Sequence, residues 1–141
     1  MEEKSTGELI QELMSESEID AYLTENQPFF ADQSVSELLQ ALYEKKSLSK
    51  AALARKAGTS EVYLHQVFSG RRKPSRDRLL CLCIGLGATL EETQRLLQQA
   101  SYAQLYPRSR RDAIISHGLL HGTELNAIND MLFAQGEGTL F

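Results

Sequence analysis

Apolar residues along this chain recur mostly at intervals of three or four positions, and no stretch alternates apolar and polar residues for long. Intervals of three and four place side chains on one face of an α-helix, whereas alternation is typical of a strand. Glycines fall between the periodic stretches, where they commonly end helices. The pattern therefore predicts an all-α protein of short helices joined by tight turns.

Serines and acids mark predicted helix starts in the first third of the chain. Residues 15–18 fit a capping box, in which a serine and a glutamate three positions later satisfy the free N–H groups of a helix start. This predicts a helix over about 16–26, after a shorter one over 6–14. Residues 34–37 fit a second capping box. They predict a helix with one apolar stripe, made of Val35, Leu38, Leu39 and Leu42.

Further helices are predicted along the rest of the chain. Three short helices are expected between the second capping box and Gly70. The proline and serine at residues 74–75 start another helix, and Thr89 caps the next. The last two helices are expected near 110–121 and 124–135.

An internal repeat appears at an offset of 35 residues, because residues 76–106 align without a gap on residues 111–141. A chance match is the alternative, but the Arg-Asp start and the turn glycine both recur. The pattern predicts two stacked helical hairpins, each covering the apolar face of the other. The matched pairs include Arg76/Arg111, Asp77/Asp112, Gly87/Gly122, Leu90/Leu125 and Leu97/Leu132.

Two helices separated by a glycine turn are predicted in the middle of the chain. Ser49 can cap the first helix and Ser60 the second. Gly58 permits the positive φ that a tight turn between them needs. Leu64 and Val67 are then the inward residues of the second helix. The lengths match those of a helix-turn-helix unit.

The run from Leu48 to Ser60, followed by Gly70, Arg72 and Pro74, resembles the Xre and Cro-like repressor family. The resemblance covers about residues 35–100, roughly half of the chain. It implies a repressor-like bundle of about five helices, here extended by N-terminal helices and a C-terminal hairpin. It also implies binding to operator DNA as a homodimer.

The tail of the chain carries a second resemblance. Residues 106–107, followed by Arg111 and Asp112, are similar to the C-terminal extension of some bacterial Xre-like proteins. Some proteins of this kind accompany signalling kinases, so the resemblance makes such a kinase a candidate protein partner.

The family resemblance implies that residues 60–68 form the helix that enters the major groove. Gln66 could then pair with adenine, whereas Glu61 would repel phosphate although it suits a helix start. The residues expected to meet base edges are Glu61, Val62, Tyr63, His65 and Gln66. The residues expected to contact phosphates are Lys50, Arg71, Arg72 and Lys73; for the last three, a solvated loop is the alternative.

Charge is unevenly distributed along the chain, whose net charge is −4. Residues 1–33 carry nine acids and one lysine, a net charge of −8. Residues 34–78 carry ten basic and four acidic residues, a net charge of +6, and residues 79–141 have a net charge of −2. Nucleic-acid binding needs a local basic face rather than a basic total. The basic centre is therefore compatible with DNA binding.

Other kinds of site find little support in the sequence. Cys81 and Cys83 lie two apart in an apolar run, which suits buried thiols better than a disulfide or a metal pair. His117 and His121 are four apart but lack the further ligands that zinc needs. No glycine-rich phosphate loop and no catalytic set appears, so we expect neither an enzyme nor a cofactor.

Location and the acidic start of the chain complete the sequence-based expectations. No apolar run approaches the roughly 20 residues of a membrane span, and no signal peptide is recognisable, so a cytoplasmic protein without a membrane partner is expected. The acidic start could pack loosely on the core, dimerise, or fold over the basic face and inhibit it. Phe29 and Phe30 are expected to dock it. The residues that would form its dimer contact are Leu9, Leu13, Ile19, Tyr22 and Leu23.

The predicted organisation has three parts: an acidic helical segment (1–33), a helix-turn-helix domain (34–105) and a C-terminal hairpin (106–141) that repeats 76–106. Two functions remain open at this point. The first is a sequence-specific DNA-binding transcriptional regulator. The second is an adaptor of a bacterial signalling system that keeps the helix-turn-helix fold without reading DNA; Glu61 and the net acidity favour it.

Overall fold

The computed structural model describes residues 4–26 and 31–141. Within these ranges the chain forms nine α-helices and no strand, which confirms the predicted all-α class. Phe29 and Phe30 lie outside the described residues. The helices are α1 (Thr6–Ser15), α2 (Ile19–Glu25), α3 (Ala31–Glu44), α4 (Lys50–Lys56), α5 (Glu61–Phe68), α6 (Arg76–Leu86), α7 (Leu90–Gln99), α8 (Arg110–Leu120) and α9 (Leu125–Ala134).

A single apolar core joins α3 to α9. Helix α6 lies at its centre, and every residue from Leu79 to Leu86 is buried. It packs against α4, α7 and α9, while α3 packs against α5 and α7. The apolar stripe predicted for α3 is confirmed, with Val35, Leu39 and Leu42 buried. The five helices α3 to α7 form the bundle that the sequence predicts around the glycine turn.

Several predicted helix starts are confirmed by the hydrogen bonds of their caps. The hydroxyl oxygens of Ser49, Ser60 and Ser75 each accept a hydrogen bond from the backbone N–H three residues later. Thr89 and Glu92 form a reciprocal capping box at the start of α7. These caps satisfy N–H groups that a helix start otherwise leaves without a partner.

Three sequence-based predictions of helices were wrong. Ser15 does not begin a helix, because α1 continues through it and its hydroxyl donates to the carbonyl of Glu12. Ser34 lies inside α3, which already begins at Ala31. Two helices rather than three connect α3 to Gly70, because residues 45–49 form a turn and an extended link.

The two hairpins α6–α7 and α8–α9, called the first and second hairpin below, make equivalent contacts 35 residues apart. In the first hairpin, the guanidinium of Arg76 donates to the carbonyl oxygens of residues 103–104, at 2.9 and 3.4 Å. In the second, Arg111 donates to the carbonyl oxygens of residues 138–139, at 2.8 and 3.1 Å. Each arginine thus holds the tail that follows its own hairpin.

A second pair of equivalent contacts fixes the tails. The side-chain oxygen of Gln94 accepts a hydrogen bond from the backbone N–H of Leu105 at 2.7 Å. The side-chain oxygen of Asn129 accepts the corresponding bond from Leu140, also at 2.7 Å. Leu105 and Leu140 are both buried. The hairpin and its tail therefore form one repeated structural unit.

The two hairpins also exchange charged groups with each other. Arg76 pairs with Asp112 at 3.1 Å, and Arg111 pairs with Asp77 at 3.1 Å. The contacts of α6 with α9 and of α7 with α8 are reciprocal in the same way. Reciprocal contact is characteristic of two units related by a two-fold axis. The two hairpins are thus related by an approximate two-fold axis and close upon each other.

The N-terminal hairpin, formed by α1 and α2, has no buried residue in either helix. A small polar cluster links its two ends: Lys4 donates to the Asn26 side chain at 2.7 Å, and Asn26 donates to Glu12 at 2.8 Å. Hydrogen bonds from Lys4 and Asn26 lower the pKa of Glu12. Its exposed large apolar residues are Ile10, Leu13, Met14, Ile19 and Leu23.

No helix within the described ranges combines the length and the hydropathy needed to cross a bilayer.

Candidate nucleic-acid interface

The α4–turn–α5 unit is built by local hydrogen bonds. Ser49 caps α4 by accepting from the N–H of Ala52, and Ser60 caps α5 by accepting from the N–H of Tyr63, both at 3.1 Å. Between the helices Gly58 has φ +65°, as the turn was predicted to need. The backbone of any residue with a side chain would be strained at this positive φ, so the turn depends on glycine.

Close contacts hold this unit against the two hairpins. A Cβ atom on Gly85 of α6 would lie only 3.0 Å from the backbone nitrogen of Ala57, so α4 and α6 approach closely there. A Cβ atom on Gly58 would lie 2.9 Å from the ring of Phe141. The turn therefore rests on α6 on one side and on the tail of the second hairpin on the other.

Helix α5 has one buried and one exposed face. Leu64 and Val67 are almost fully buried, which confirms that they point inward. Val62 has 68% of its surface exposed although it is apolar. The residues that the sequence nominated for base contact all reach the surface: Glu61, Val62 and His65 are exposed, and Tyr63 and Gln66 are partly buried.

Lys50 lies at the start of α4 beside two aromatic rings. Its ammonium nitrogen is 4.1 Å from the ring centre of Phe68 and 4.7 Å from that of Tyr43. The two rings are themselves in contact, with centres 5.5 Å apart. Cation–π attraction therefore restricts Lys50 to the junction of α3, α4 and α5. This is the edge of the α4–turn–α5 unit where a phosphate contact was expected.

Two guanidinium groups flank the ring of Tyr63. The carbon centre of Arg72 is 5.5 Å from the ring centre, and that of Arg78 is 5.4 Å away. Burial raises the pKa of Tyr63, so its hydroxyl stays protonated and can donate a hydrogen bond. The arrangement places two cations and one O–H donor next to the exposed face of α5.

Arg78 was missed by the sequence-based prediction. It lies in the first turn of α6, where the helix dipole disfavours a cation. An arginine in that place is a signal for an anionic partner, and this signal was available in the sequence. What could not be read from the sequence was the contact of Arg78 with Tyr63, which joins α6 to α5.

The basic loop after α5 is held in a defined conformation. The backbone N–H groups of Arg71 and Arg72 both donate to the carbonyl of Gln66, at 2.9 and 3.2 Å. The ammonium nitrogen of Lys73 lies 5.0 Å from the ring centre of Tyr102. The Tyr102 hydroxyl donates to the carbonyl of Pro74 at 2.6 Å, which fastens the end of the loop. All three basic residues remain exposed.

Glu61 is the one acid on the exposed face of α5. It lies in the first turn, where it complements the helix dipole, and its side chain is exposed. No described residue forms an ion pair with it. Its negative charge therefore faces outward on the same helix whose Tyr63 ring is flanked by Arg72 and Arg78.

The other residue pairs considered in the sequence lie elsewhere. Cys81 and Cys83 are free and buried in α6, as predicted. Burial raises the pKa of Cys81 to about 11 and that of Cys83 to about 12. The rings of His117 in α8 and of His121, which follows α8, have centres 4.2 Å apart and are tilted by 35°. In the described parts of the chain, no group of three or more His, Cys, Asp or Glu side chains is arranged to hold a metal ion.

Comparison with known proteins agrees with this geometry. A family model described as a helix-turn-helix domain matches residues 34–96, which span α3 to most of α7. Neither a curated protein nor a solved structure matches the chain. The resemblance noted in the sequence is confirmed: residues 34–96 form a helix-turn-helix domain of the Xre and Cro-like family.

Proposed function

We propose that this protein is a sequence-specific, DNA-binding transcriptional regulator of the cytoplasm. The observation that supports the proposal is the exposed face of α5, which is bordered by cationic side chains that pack against aromatic rings. Lys50 lies on one side over aromatic rings, and Arg72 and Arg78 lie on the other against Tyr63. An exposed helix can enter the major groove, and cations on the neighbouring elements can contact the phosphates on either side.

Within this proposal the exposed residues of α5 read base edges. Gln66 carries an amide suited to adenine, and the exposed methyl groups of Val62 suit the methyl group of thymine. His65 and Tyr63 add hydrogen-bond donors, and Glu61 can accept from the amino group of cytosine. Phosphate contacts come from Lys50, Arg71, Arg72 and Lys73, joined by Arg78.

The protein binds its operator as a homodimer in this proposal. Two reading helices related by a two-fold axis would contact half-sites about one helical turn of DNA apart, roughly 34 Å. Each additional phosphate contact also steepens the salt dependence of binding. The three-part organisation predicted from the sequence, with boundaries at 33/34 and 105/106, remains part of the proposal.

Selection from random duplex DNA, followed by titration of the enriched sequence, tests the proposal. We expect one enriched motif. Gln66→Ala should reduce affinity for that motif by roughly tenfold and relax the preference at one base pair. Arg72→Ala should weaken binding to all sequences similarly and reduce the salt slope by about 1.

Arg108→Ala is the matched control, because it removes one exposed arginine from the link before α8. It should leave the salt slope and the enriched motif unchanged. Absence of any enriched motif, together with equal binding by the wild type and both α5-region variants, would contradict the proposal.

A second function is an adaptor that retains the fold and binds a protein, such as a bacterial signalling kinase. Glu61 favours it, because an exposed carboxylate in the first turn of α5 opposes phosphate. Glu61→Gln discriminates between the two functions. In a DNA reader it should raise affinity for nonspecific duplex, whereas in an adaptor the wild type and the variant should both fail to bind DNA at low salt.

A further inference from the structure

The second hairpin lacks a cover that the first hairpin has. Helix α3 packs against α7 of the first hairpin, and no described helix packs in the same way on α9. Leu96 of α7 is 2% exposed, but Met131, its equivalent 35 residues later, is 51% exposed. Leu79 and Ile114 differ in the same direction. The surface on which α3 packs in the first hairpin therefore has an equivalent in the second hairpin, called the seat below, and no described helix occupies it.

This empty seat is a groove of about 560 Å³ between α8 and α9. Its floor and walls are mainly apolar, and one arginine lies at its edge. The residues that define it are Ala113, Ile114, Ala127, Ile128, Met131 and Arg110. Arg110 is also exposed and lies 3.8 Å from Glu137, so its ion pair is open to water and weak.

Helix α1 resembles α3, the helix that occupies the corresponding seat on the first hairpin. Residues 8–13 read Glu-Leu-Ile-Gln-Glu-Leu, and residues 37–42 read Glu-Leu-Leu-Gln-Ala-Leu, with four of six positions identical. In α3, the third and sixth of these residues are buried in the core. Their equivalents in α1, Ile10 and Leu13, are 53% and 48% exposed.

The chain thus carries a second copy of the groove and a second copy of the helix that fits it, and α1 packs against α2 rather than in the groove. Helix α1 contains two glutamates and neither lysine nor arginine, so its charge suits the arginine at the groove edge. A helix with an apolar stripe that lies in an apolar groove is a recurrent mode of protein recognition.

We propose that α1 of one molecule docks in the α8–α9 groove of a second molecule, as α3 docks on α7 within each chain. The exchange is reciprocal, so two molecules form a closed dimer with both grooves filled. This inference rests on the dimeric part of the proposed function and names the surfaces that join the two copies. It does not use the exposed face of α5, which stays free for DNA.

Disulfide trapping between full-length chains tests the proposed contact. A Leu13→Cys chain is mixed with a Met131→Cys chain under mild oxidation. The mixture should give a disulfide-linked pair of one chain of each kind. A Phe133→Cys chain replaces the Met131→Cys chain as the matched control, because Phe133 is 79% exposed on α9 but does not line the groove. The native thiols are buried and should not take part.

Sedimentation equilibrium supplies a second readout without new thiols. Ile10→Ser combined with Leu13→Ser, and separately Met131→Glu, should each weaken dimerisation by at least roughly tenfold. Phe133→Ser should change it by less than about twofold. Because all of these residues are already exposed in one molecule, the variants should keep the helical circular dichroism of the wild type.

Three outcomes would overturn the proposal. The first is equal trapping by Met131→Cys and Phe133→Cys chains, and the second is a wild type that stays monomeric at high concentration. The third is a disulfide within one dilute chain that carries both cysteines, since α1 would then dock in its own groove. Arg72→Ala separates this inference from DNA binding: added to the two cysteine chains, it should abolish DNA affinity but leave trapping unchanged. Normal trapping of the Leu13→Cys and Met131→Cys chains, together with a wild type that binds no DNA, would contradict the proposed function alone.

Discussion

The first and second hairpins show how one structural unit is used in two ways. Both hold their tails with an arginine and an amide side chain at matching positions, and each pairs its arginine with the aspartate of the other. The first hairpin is enclosed by α3, α4 and the second hairpin, whereas among the described helices the second packs mainly against the first, with the turn after α4 against its tail. The repeated contacts determine the structure of each hairpin and its tail. The helices that pack on a hairpin determine which of its faces are buried in the core.

The burial of residues at equivalent positions differs according to which helices pack on each hairpin. Gly85 of α6 lies against Ala57 of α4, and its equivalent Leu120 is 66% exposed. Leu82 is buried, and its equivalent His117 is exposed. Positions that must be small or apolar in the first hairpin, because another helix packs on them, can therefore hold large or polar side chains in the second hairpin.

The interior of each hairpin is filled by a different pair of side chains. In the first hairpin, Cys83 and Thr93 face each other. Their equivalents are Gly118 and Ile128, and a Cβ atom on Gly118 would collide with Ile128. In the second hairpin, a small glycine beside a large isoleucine thus takes the place of two residues of intermediate size, a cysteine and a threonine. Such a volume-conserving exchange keeps packing density at little cost.

Giving the first hairpin the side chain of the second should produce the largest effect. Gly85→Leu places a branched side chain where only about 3 Å separates a Cβ atom from Ala57. We expect a loss of about 3 kcal/mol or more in the free energy of unfolding. Urea denaturation measures it. Leu120→Ala, the control at the equivalent position, should change stability by less than about 1 kcal/mol, and equal losses would contradict this account of the difference.

Breaking the two exchanged ion pairs should have unequal effects. The side chain of Asp112 is 11% exposed and also accepts the N–H of Tyr106, whereas that of Asp77 is 41% exposed. Asp112→Ala should therefore cost about 2 to 3 kcal/mol, and Asp77→Ala about 1 kcal/mol or less. Thermal unfolding of both variants at matched salt checks the order. Equal losses would show that the approximate two-fold axis governs energetics as well as geometry, and the reverse order would contradict the role given to burial.

The cysteines should make the first hairpin sensitive to high pH. Burial raises the pKa of Cys81 to about 11 and of Cys83 to about 12, so both thiols ionise in the unfolded chain at a lower pH than in the folded one. Stability should therefore be full below about pH 8 and fall as pH rises towards 11, with a loss of about 1 to 2 kcal/mol by pH 9.5.

A Cys81→Ser, Cys83→Ala variant should lose most of this decline, because it lacks both thiols. Small side chains suit these positions, since the second hairpin has Ser116 and Gly118 there. Urea titrations at pH 8 and pH 9.5 measure the difference between the two proteins. A decline of the same size in the variant would assign it to other groups.

The smallest expected effect is a gain in stability. Gln94 both accepts from the N–H of Leu105 and donates to its carbonyl at 2.9 Å, whereas the amide nitrogen of the buried Asn129 has no hydrogen-bond partner among the described residues. Asn129→Gln adds the missing methylene and should let the amide reach the carbonyl of Leu140. We expect a gain of about 0.5 to 1 kcal/mol. Gln94→Asn should lose a similar amount, and a loss in both variants would mean that the second tail has no room for the longer side chain.

Local features of the sequence predicted much of the fold. The caps at Ser49, Ser60 and Thr89 were recognisable because each depends on residues within one helical turn. The cap predicted at Ser15 failed for the same local reason, since its hydroxyl can serve the end of α1 as easily as the start of the next helix. Gly58 was also predictable, because few other residues tolerate its φ.

Features that depend on how helices pack could not be predicted from the sequence. The repeat was visible as spacing, but nothing local shows that Arg76 would reach Asp112 and not a residue of its own hairpin. The contact of Arg78 with Tyr63 likewise joins two helices across the candidate interface. The positions of the residues nominated for DNA contact on α4, α5 and the following loop could be predicted, but the aromatic rings that orient Lys50 could not.

The contact of Gly58 with Phe141 also has a consequence for the timing of folding. The ring that rests on the turn is made roughly 80 residues after the turn itself, which at typical rates of translation is a delay of about 4 to 16 s. During that interval the nascent helix-turn-helix unit has α6 beneath its turn but lacks the second hairpin. Ribosome-bound chains that lack the second hairpin should therefore expose the turn to proteolysis, and chains that include Phe141 outside the ribosome should protect it.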